Sequence, residues 1–239
     1  MPPQFHILSS GKTLKHLDTE ILKQTDSNLG SLKSFKTLDG TTSLHSEHFK
    51  EKFHSQTGAK KEAIDKFIKP AELHRFKSEE KITVLDVCVG MGYNTACLLE
   101  TLTTTNLSME WWGLEVDPRP LQFAIDSFSQ QSSWDENILN ILKALIISGQ
   151  WKSGSSHGTL IWGDARDTLK RIPNNTSFDL IFLDAFSPKK CPQLWSEEFL
   201  QMLINKLAPD GRLITYCSAA SLRKTLRDAG LLVMSLLPV

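Results

Sequence analysis

At 239 residues the chain is long enough for one domain with a full core, or for one domain carrying an extension. Its 40% hydrophobic and 23% charged content is ordinary for a globular protein; no run nears the roughly 18 uncharged apolar residues of a membrane span, and the first twenty residues lack the order of a secretory leader. The four cysteines are scattered with no CxxC pair, which argues against a zinc site or a disulfide scaffold and fits a reducing cytoplasm, while zero net charge leaves no bulk attraction to a polyanion.

The chain reads as two parts. Residues 1–81 are polar, slightly basic and hold six of the seven histidines, an N-terminal extension suited to capping a substrate site. A nucleic-acid face and a merely solvated lysine-rich face both fit that composition. Residues 36–46 predict a hairpin turning at Asp39-Gly40. From Glu47 to Arg75, the apolar positions Phe49, Phe53, Ile64, Phe67, Ile68 and Leu73 predict helices interrupted near Gly58 and Pro70.

Residues 82–239 alternate strand and helix. Predicted strands are Ile82–Val87, Met109–Val116, Leu160–Trp162, Phe178–Leu183, Arg212–Cys217 and a sixth starting at Leu231. Predicted helices are Tyr93–Leu102, one opening at Pro118, Ala165–Arg171, Glu197–Leu207 and Ala219–Ala229, with Pro209-Asp210-Gly211 a turn. The apolar spacing over 138–146 predicts an inserted amphipathic helix. Such alternation implies right-handed crossovers and a mostly parallel sheet with helices on both faces, an α/β, class I Rossmann-like fold.

Four short segments end the first four strands, where open α/β sheets bind ligands. Asp86-Val-Cys-Val-Gly90-Met-Gly92-Tyr-Asn94 is a glycine turn; Thr95 stands where the dinucleotide fingerprint has its third glycine. Glu115 closes the second strand about 25 positions later, placed to accept hydrogen bonds from ribose hydroxyls unless it is only a surface carboxylate. Asp164, followed by Ala165, is either a helix N-cap, an acceptor for an adenine amino group, or both. Asp184, ending the fourth strand, faces the reactive part of any ligand lying along the other three. In this order and spacing the four make the pattern of S-adenosyl-L-methionine binding.

Two stretches carry a more specific resemblance. Asp184-Ala-Phe186-Ser-Pro188-Lys189-Lys-Cys-Pro-Gln-Leu-Trp195 resembles the D-A/G-F-x-P-x-K-x-P-x-L/M-W signature of the methyltransferase domain of tRNA 5-methylaminomethyl-2-thiouridine biosynthesis proteins. Phe53-His54-Ser-Gln-Thr-Gly58-Ala-Lys-Lys-Glu62 is similar to that family's Y/F-H-S-x-x-G-A-x-x-E segment, and the likeness extends over about residues 36–230.

The resemblance implies N-methylation of the aminomethyl group on the tRNA wobble uridine. Asp184 would be the catalytic acid–base group, with Asp86, Gly90, Gly92, Asn94, Glu115, Asp164 and Ala165 around the cofactor. Phe53, His54, Phe186, Pro188, Lys189 and Trp195 would meet the substrate. Core packing is an equal reading of Trp195, as is a solvated loop for Lys189 and Lys190. No metal is implied, and a separate enzyme would supply the aminomethyluridine. The family continues into a further strand pair, which Val239 precedes, and 239 residues leave no room for the flavin-dependent domain fused in some relatives. An aminopropyltransferase of the spermidine-synthase type shares the fold and the amine nucleophile. A non-catalytic RNA-binding or scaffold module also fits the neutral charge.

Overall fold

Leu32–Lys36 (β1) and Thr42–Ser46 (β2) pair antiparallel, and Glu51–Lys52 (β3) adds a short third strand to β2. The computed structural model describes residues 29–131 and 134–235, so the first 28 residues of the N-terminal extension lie outside the described residues. Asp39 organises the expected turn. Its carboxylate accepts from the Thr37 hydroxyl (2.7 Å) and from the Thr41 amide (3.0 Å) and hydroxyl (2.6 Å). The same carboxylate reaches the Lys61 amide at 3.2 Å in the first turn of the next helix. That close approach dictates Gly58: a Cβ there would lie 2.1 Å from Asp39 Cγ.

After β3, helix begins only past Gly58. Ala59–Ala63 (α1) runs into a π turn, Ile64–Ile68, and then Lys69–Ala71 (α2). Two expectations are corrected here. Residues 47–58 are turn, β3 and loop, because Phe49 and Phe53 turn towards a cavity and not onto a helical stripe. Pro70 does not break the helix, since it occupies the first turn of α2, where a missing N–H costs nothing. The chain stops instead at Glu72, in the left-handed region at φ 48°.

The main sheet contains Lys81–Val87 (β4), Ser108–Glu115 (β5), Gln150–Ser153 (β6), Ser156–Trp162 (β7), Phe178–Leu183 (β8) and Leu207–Thr215 (β9). Their order is β6-β7-β5-β4-β8-β9, parallel except for β6. Tyr93–Leu102 (α3), Pro118–Gln131 (α4), Glu136–Ser148 (α5), Ala165–Thr168 (α6), Glu197–Ile204 (α7) and Ala220–Asp228 (α8) connect the strands. Two apolar layers explain the unbroken hydrophobic strands. Ile82, Val84 and Phe182 pack with Phe67, Leu98 and Leu142 on one face; Leu85, Val87, Ile181 and Leu183 pack with Leu169, Phe199 and Leu222 on the other.

Three further differences have local causes. The antiparallel strand β6, with Trp151 its one buried residue, forms a tight hairpin with β7 inside what the sequence reads as a connection. Strand β9 begins at Leu207 and absorbs Pro209-Asp210-Gly211 as an irregularity, where the register against β8 shifts and Asp210 takes φ 61°. Residues 231–235 form no strand, and 236–239 lie outside the described residues. No described helix is long and apolar enough to cross a membrane.

Candidate functional site

Strand order reverses between β4 and β8, and a cavity of about 630 Å³ opens outside the carboxyl ends of the strands there. That volume suits a ligand of nucleoside size or somewhat larger. Strand ends β4, β5, β7 and β8 form its floor, and the β2–β3 segment with α1 covers it. Of the residues singled out in the sequence, Phe53, His54, Gly90, Glu115, Asp164, Ala165, Asp184 and Phe186 line this one space. Asp86, Gly92 and Asn94 stand behind it, while Pro188, Lys189 and Trp195 lie beyond its wall on the loop after Phe186.

Glu115 ends β5 in a nest of backbone donors. One carboxylate oxygen accepts from the Gly90 amide at 2.7 Å, and the other accepts from Val116 and Asp117 at 2.7 and 2.8 Å. Burial pushes its pKa up to about 7, against those three hydrogen bonds. The glycine turn and the β5 acid are thus one unit, since the carboxylate fixes the loop that must approach a ligand.

Gly92 enters α3 at φ 77°, and a Cβ there would sit 2.8 Å from Leu121 of α4, so the sharp turn and the close helix contact both require glycine. Behind the turn, Asp86 accepts from the Thr95 hydroxyl at 2.7 Å, and its buried second oxygen has no partner among the described residues. Desolvation raises its pKa to about 6.

Asp164 caps α6 through the Arg166 amide (2.9 Å) and pairs with the Arg166 guanidinium at 2.6 Å. That hydrogen bond holds its carboxyl below the ordinary range despite partial burial. Asp184 ends β8 and accepts from Asn94 Nδ2 at 2.8 Å. Burial raises it to about 7, with the charge of Asp86 adding to the rise and the Asn94 bond opposing it. A carboxylate in this state accepts or gives a proton near neutrality.

The covering segment adds Phe49 and Glu51, which the sequence reading did not assign to the site. Phe49 stacks on Phe186 with centroids 4.5 Å apart, and Phe53 meets the same ring edge-on at 4.9 Å. Trp195 donates its indole N–H to the Phe186 carbonyl at 2.7 Å and so holds that loop from outside the cavity. Glu51 accepts from the Ser187 hydroxyl at 2.7 Å, latching the cover to the loop after β8.

His54 bonds Ser43 through Nδ1 at 3.0 Å. Burial lowers its pKa to about 4, overcoming the neighbouring charges of Glu62 and Asp39, so the ring is neutral. Glu62, which accepts from the Ser55 amide and from Lys66, also lines the cavity, as do Lys66, Cys88 and Tyr216. The π turn that carries Lys66 leaves no trace in apolar periodicity, and such turns recur at functional sites. Glu62 alone had a signal, as the last letter of the second motif. Among the described residues, no group of three or more acidic, histidine or cysteine side chains is placed to hold a metal ion.

The donor set suits S-adenosyl-L-methionine: a buried strand-end carboxylate at Glu115, a second acid at Asp164, an apolar wall at Leu114, Val116 and Ala165, and acidic groups that can balance a sulfonium. A family model described as S-adenosyl-L-methionine-dependent methyltransferase matches residues 131–237. An uncharacterized protein of Methanocaldococcus jannaschii is 31% identical over 224 residues, covering 94% of this chain and 60% of that protein. A tRNA 5-methylaminomethyl-2-thiouridine biosynthesis bifunctional protein MnmC, from Pseudomonas paraeruginosa, is 29% identical over 63% of this chain and 24% of its own length. The chain therefore spans 60% of the first relative's length and about a quarter of the second's. The crystal structure of MNMC2 from Aquifex aeolicus superposes with a TM-score of 0.72 at 28% identity, over 92% of this chain and 72% of that one. Site geometry, family model and structural likeness point the same way: the chain is similar to S-adenosyl-L-methionine-dependent methyltransferases of the MnmC type.

Proposed function

We propose that this protein N-methylates the 5-aminomethyl group of the wobble (2-thio)uridine of tRNA, in the cytoplasm. The observation that carries the reading is Asp184: a carboxylate raised to about 7, held by Asn94 and lining the cavity beside Phe186 in the Asp184–Trp195 motif. When bound, S-adenosyl-L-methionine supplies a methyl group on a positively charged sulfur. The residues of the chain do the rest. Glu115 receives the ribose hydroxyls and Asp164 the adenine amino group, with Asp86, Gly90, Gly92 and Ala165 shaping the turn around them.

Asp184 accepts a hydrogen bond from the substrate amine, aiming the nitrogen lone pair at the methyl carbon. It would then take the proton that the nitrogen loses as the new N–C bond forms and the methyl–sulfur bond breaks, the electron pair leaving with the now neutral sulfur. Alignment at about 3 Å supplies several kcal/mol of the barrier. Because Phe49 covers one face of Phe186, the uridine lies against the edges of Phe53 and Phe186, with His54 as a neutral hydrogen-bonding neighbour. Trp195 is a positioning residue in this scheme, and residues 1–81 act as the cap. The test is transfer of labelled methyl to tRNA bearing aminomethyluridine, with tRNA lacking the modification as control. Label on the modified tRNA alone supports the reading; equal label on both, or none while the cofactor binds, overturns it.

A further inference from the structure

The Glu51–Ser187 latch has a consequence for the outer surface. Glu51 turns inward onto Ser187, bonding its hydroxyl and, at 3.3 Å, its amide. Its neighbours Lys50 and Lys52 are exposed. On the other side of the latch, the Lys190 and Cys191 amides close a turn onto the Ser187 carbonyl at 2.8 and 2.9 Å. That turn displays Lys189 and Lys190, both exposed.

Two lysine pairs from distant parts of the sequence therefore flank the Glu51–Ser187 latch, and Lys52 itself lines the cavity. Several other described lysines are neutralised. Lys33, Lys60, Lys61, Lys66, Lys69, Lys81, Lys170 and Lys224 each pair with a carboxylate. Lys50, Lys52, Lys189 and Lys190 have no such carboxylate partner among the described residues, although Lys52 also lies over the Phe35 ring at 5.0 Å. Unneutralised ammonium groups on two rigid segments flanking a nucleobase-sized cavity are placed to meet the phosphates that flank an inserted base.

We propose that Lys50 and Lys52 on the cover, with Lys189 and Lys190 on the loop after β8, form one phosphate cradle for the RNA backbone on both sides of the target nucleotide. The proposal rests on the tRNA reading above, and its test separates the two. Binding of unmodified tRNA transcript is followed by fluorescence anisotropy from 50 to 200 mM KCl, for the intact protein, Lys50→Ala/Lys52→Ala, Lys189→Ala/Lys190→Ala, and a control pair at other exposed lysines, Lys143→Ala/Lys152→Ala. Each phosphate contact on a single strand contributes about 0.7 to the slope of log affinity against log salt, so either rim pair should flatten it by roughly 1–1.5. The control pair should leave the slope unchanged, and S-adenosyl-L-methionine affinity by calorimetry should hold in every variant.

An unaltered slope in both rim variants, or equal flattening in the control pair, overturns the cradle while leaving the tRNA reading intact. Flattening from one rim pair alone also overturns a cradle built from both segments. If the intact protein binds no transcript with a salt-dependent affinity, the tRNA reading falls and the cradle with it.

Discussion

Asp184 and Glu115 occupy strand ends on either side of β4 and are both raised to about 7 by burial, yet their partners suit them to different work. Asp184 has one side-chain donor, Asn94, and lines the cavity; Glu115 is fixed by three backbone amides from two loops, which leaves acceptor capacity on Oε2 for a ligand. Asp184→Ala should lower methyl transfer by about 10²–10⁴ while cofactor affinity stays within about tenfold, the range for a positioned proton acceptor. Single-turnover kinetics beside calorimetry reads both. Since the ionised form accepts the proton, the intact enzyme's kcat/KM should rise with pH through about 7, provided the free enzyme keeps the Asp184 value. Glu115→Ala should act in the opposite sense, weakening cofactor binding by about 10-fold or more through lost charge-assisted hydrogen bonds and a freed Gly90 loop. Wild-type affinity in that variant would remove Glu115 from the ribose site.

At the scale of elements, the hairpin, α1 and the loop after β8 behave as one clamp, and its hinge point is Asp39. That carboxylate joins the hairpin turn to the start of α1, and α1 in turn carries Glu62 into the cavity wall. Asp39→Ala should cost about 1–3 kcal/mol in denaturant unfolding, because several hydrogen bonds to one charged group are lost together. Its transfer activity should fall more than its cofactor affinity, since the cover is loosened and the strand-end floor is not. Equal loss of both would mean that the clamp supports the whole sheet.

The parallel strands were legible because Ile82–Val87 and Phe178–Leu183 must be apolar on both faces. The strand-end acids were legible because their spacing follows from the fold. The cover was not. Phe49 and Phe53 have no regular period, Glu51 finds Ser187 only through tertiary folding, and the π turn at Ile64–Ile68 breaks the helical count that periodicity relies on. Strand β6 escaped for a related reason, being short, polar and at an edge.

For the molecule as a whole, the cover is tied to the sheet at several separate points. Tyr93 donates to the Thr42 carbonyl at 3.0 Å, Arg119 to the Gly30 carbonyl at 2.8 Å, and Arg212 to the Pro70 carbonyl at 2.8 Å and to Glu72 at 2.6 Å. The cavity they enclose holds a pH-dependent strain. Asp184 and Glu115 near 7 and Asp86 near 6 keep protons in the folded state that an unfolded chain gives up near 4. Stability from these groups is therefore present at low pH and lost as pH rises through 6–7. His54 acts oppositely: an unfolded imidazole binds a proton below its ordinary 6.5 that the folded one, near 4, refuses, so its stability is gained as pH rises and is complete above 6.5.

Between pH 6.5 and 8 the carboxylates alone remain to act, and the ligand-free protein should lose stability over that interval. A bound sulfonium and ribose hydroxyls favour the ionised carboxylates, so S-adenosyl-L-methionine should bind with release of protons at pH 6.5. Calorimetry in two buffers of different ionisation enthalpy measures that release directly. It should shrink by pH 8, where the carboxylates are already ionised. It should also be smaller for S-adenosyl-L-homocysteine, which keeps the hydroxyls but lacks the positive sulfur. Release that is equal for the two ligands would assign the effect to Glu115 and its ribose contact alone, and leave Asp184 without electrostatic contact to the sulfur end of the cofactor.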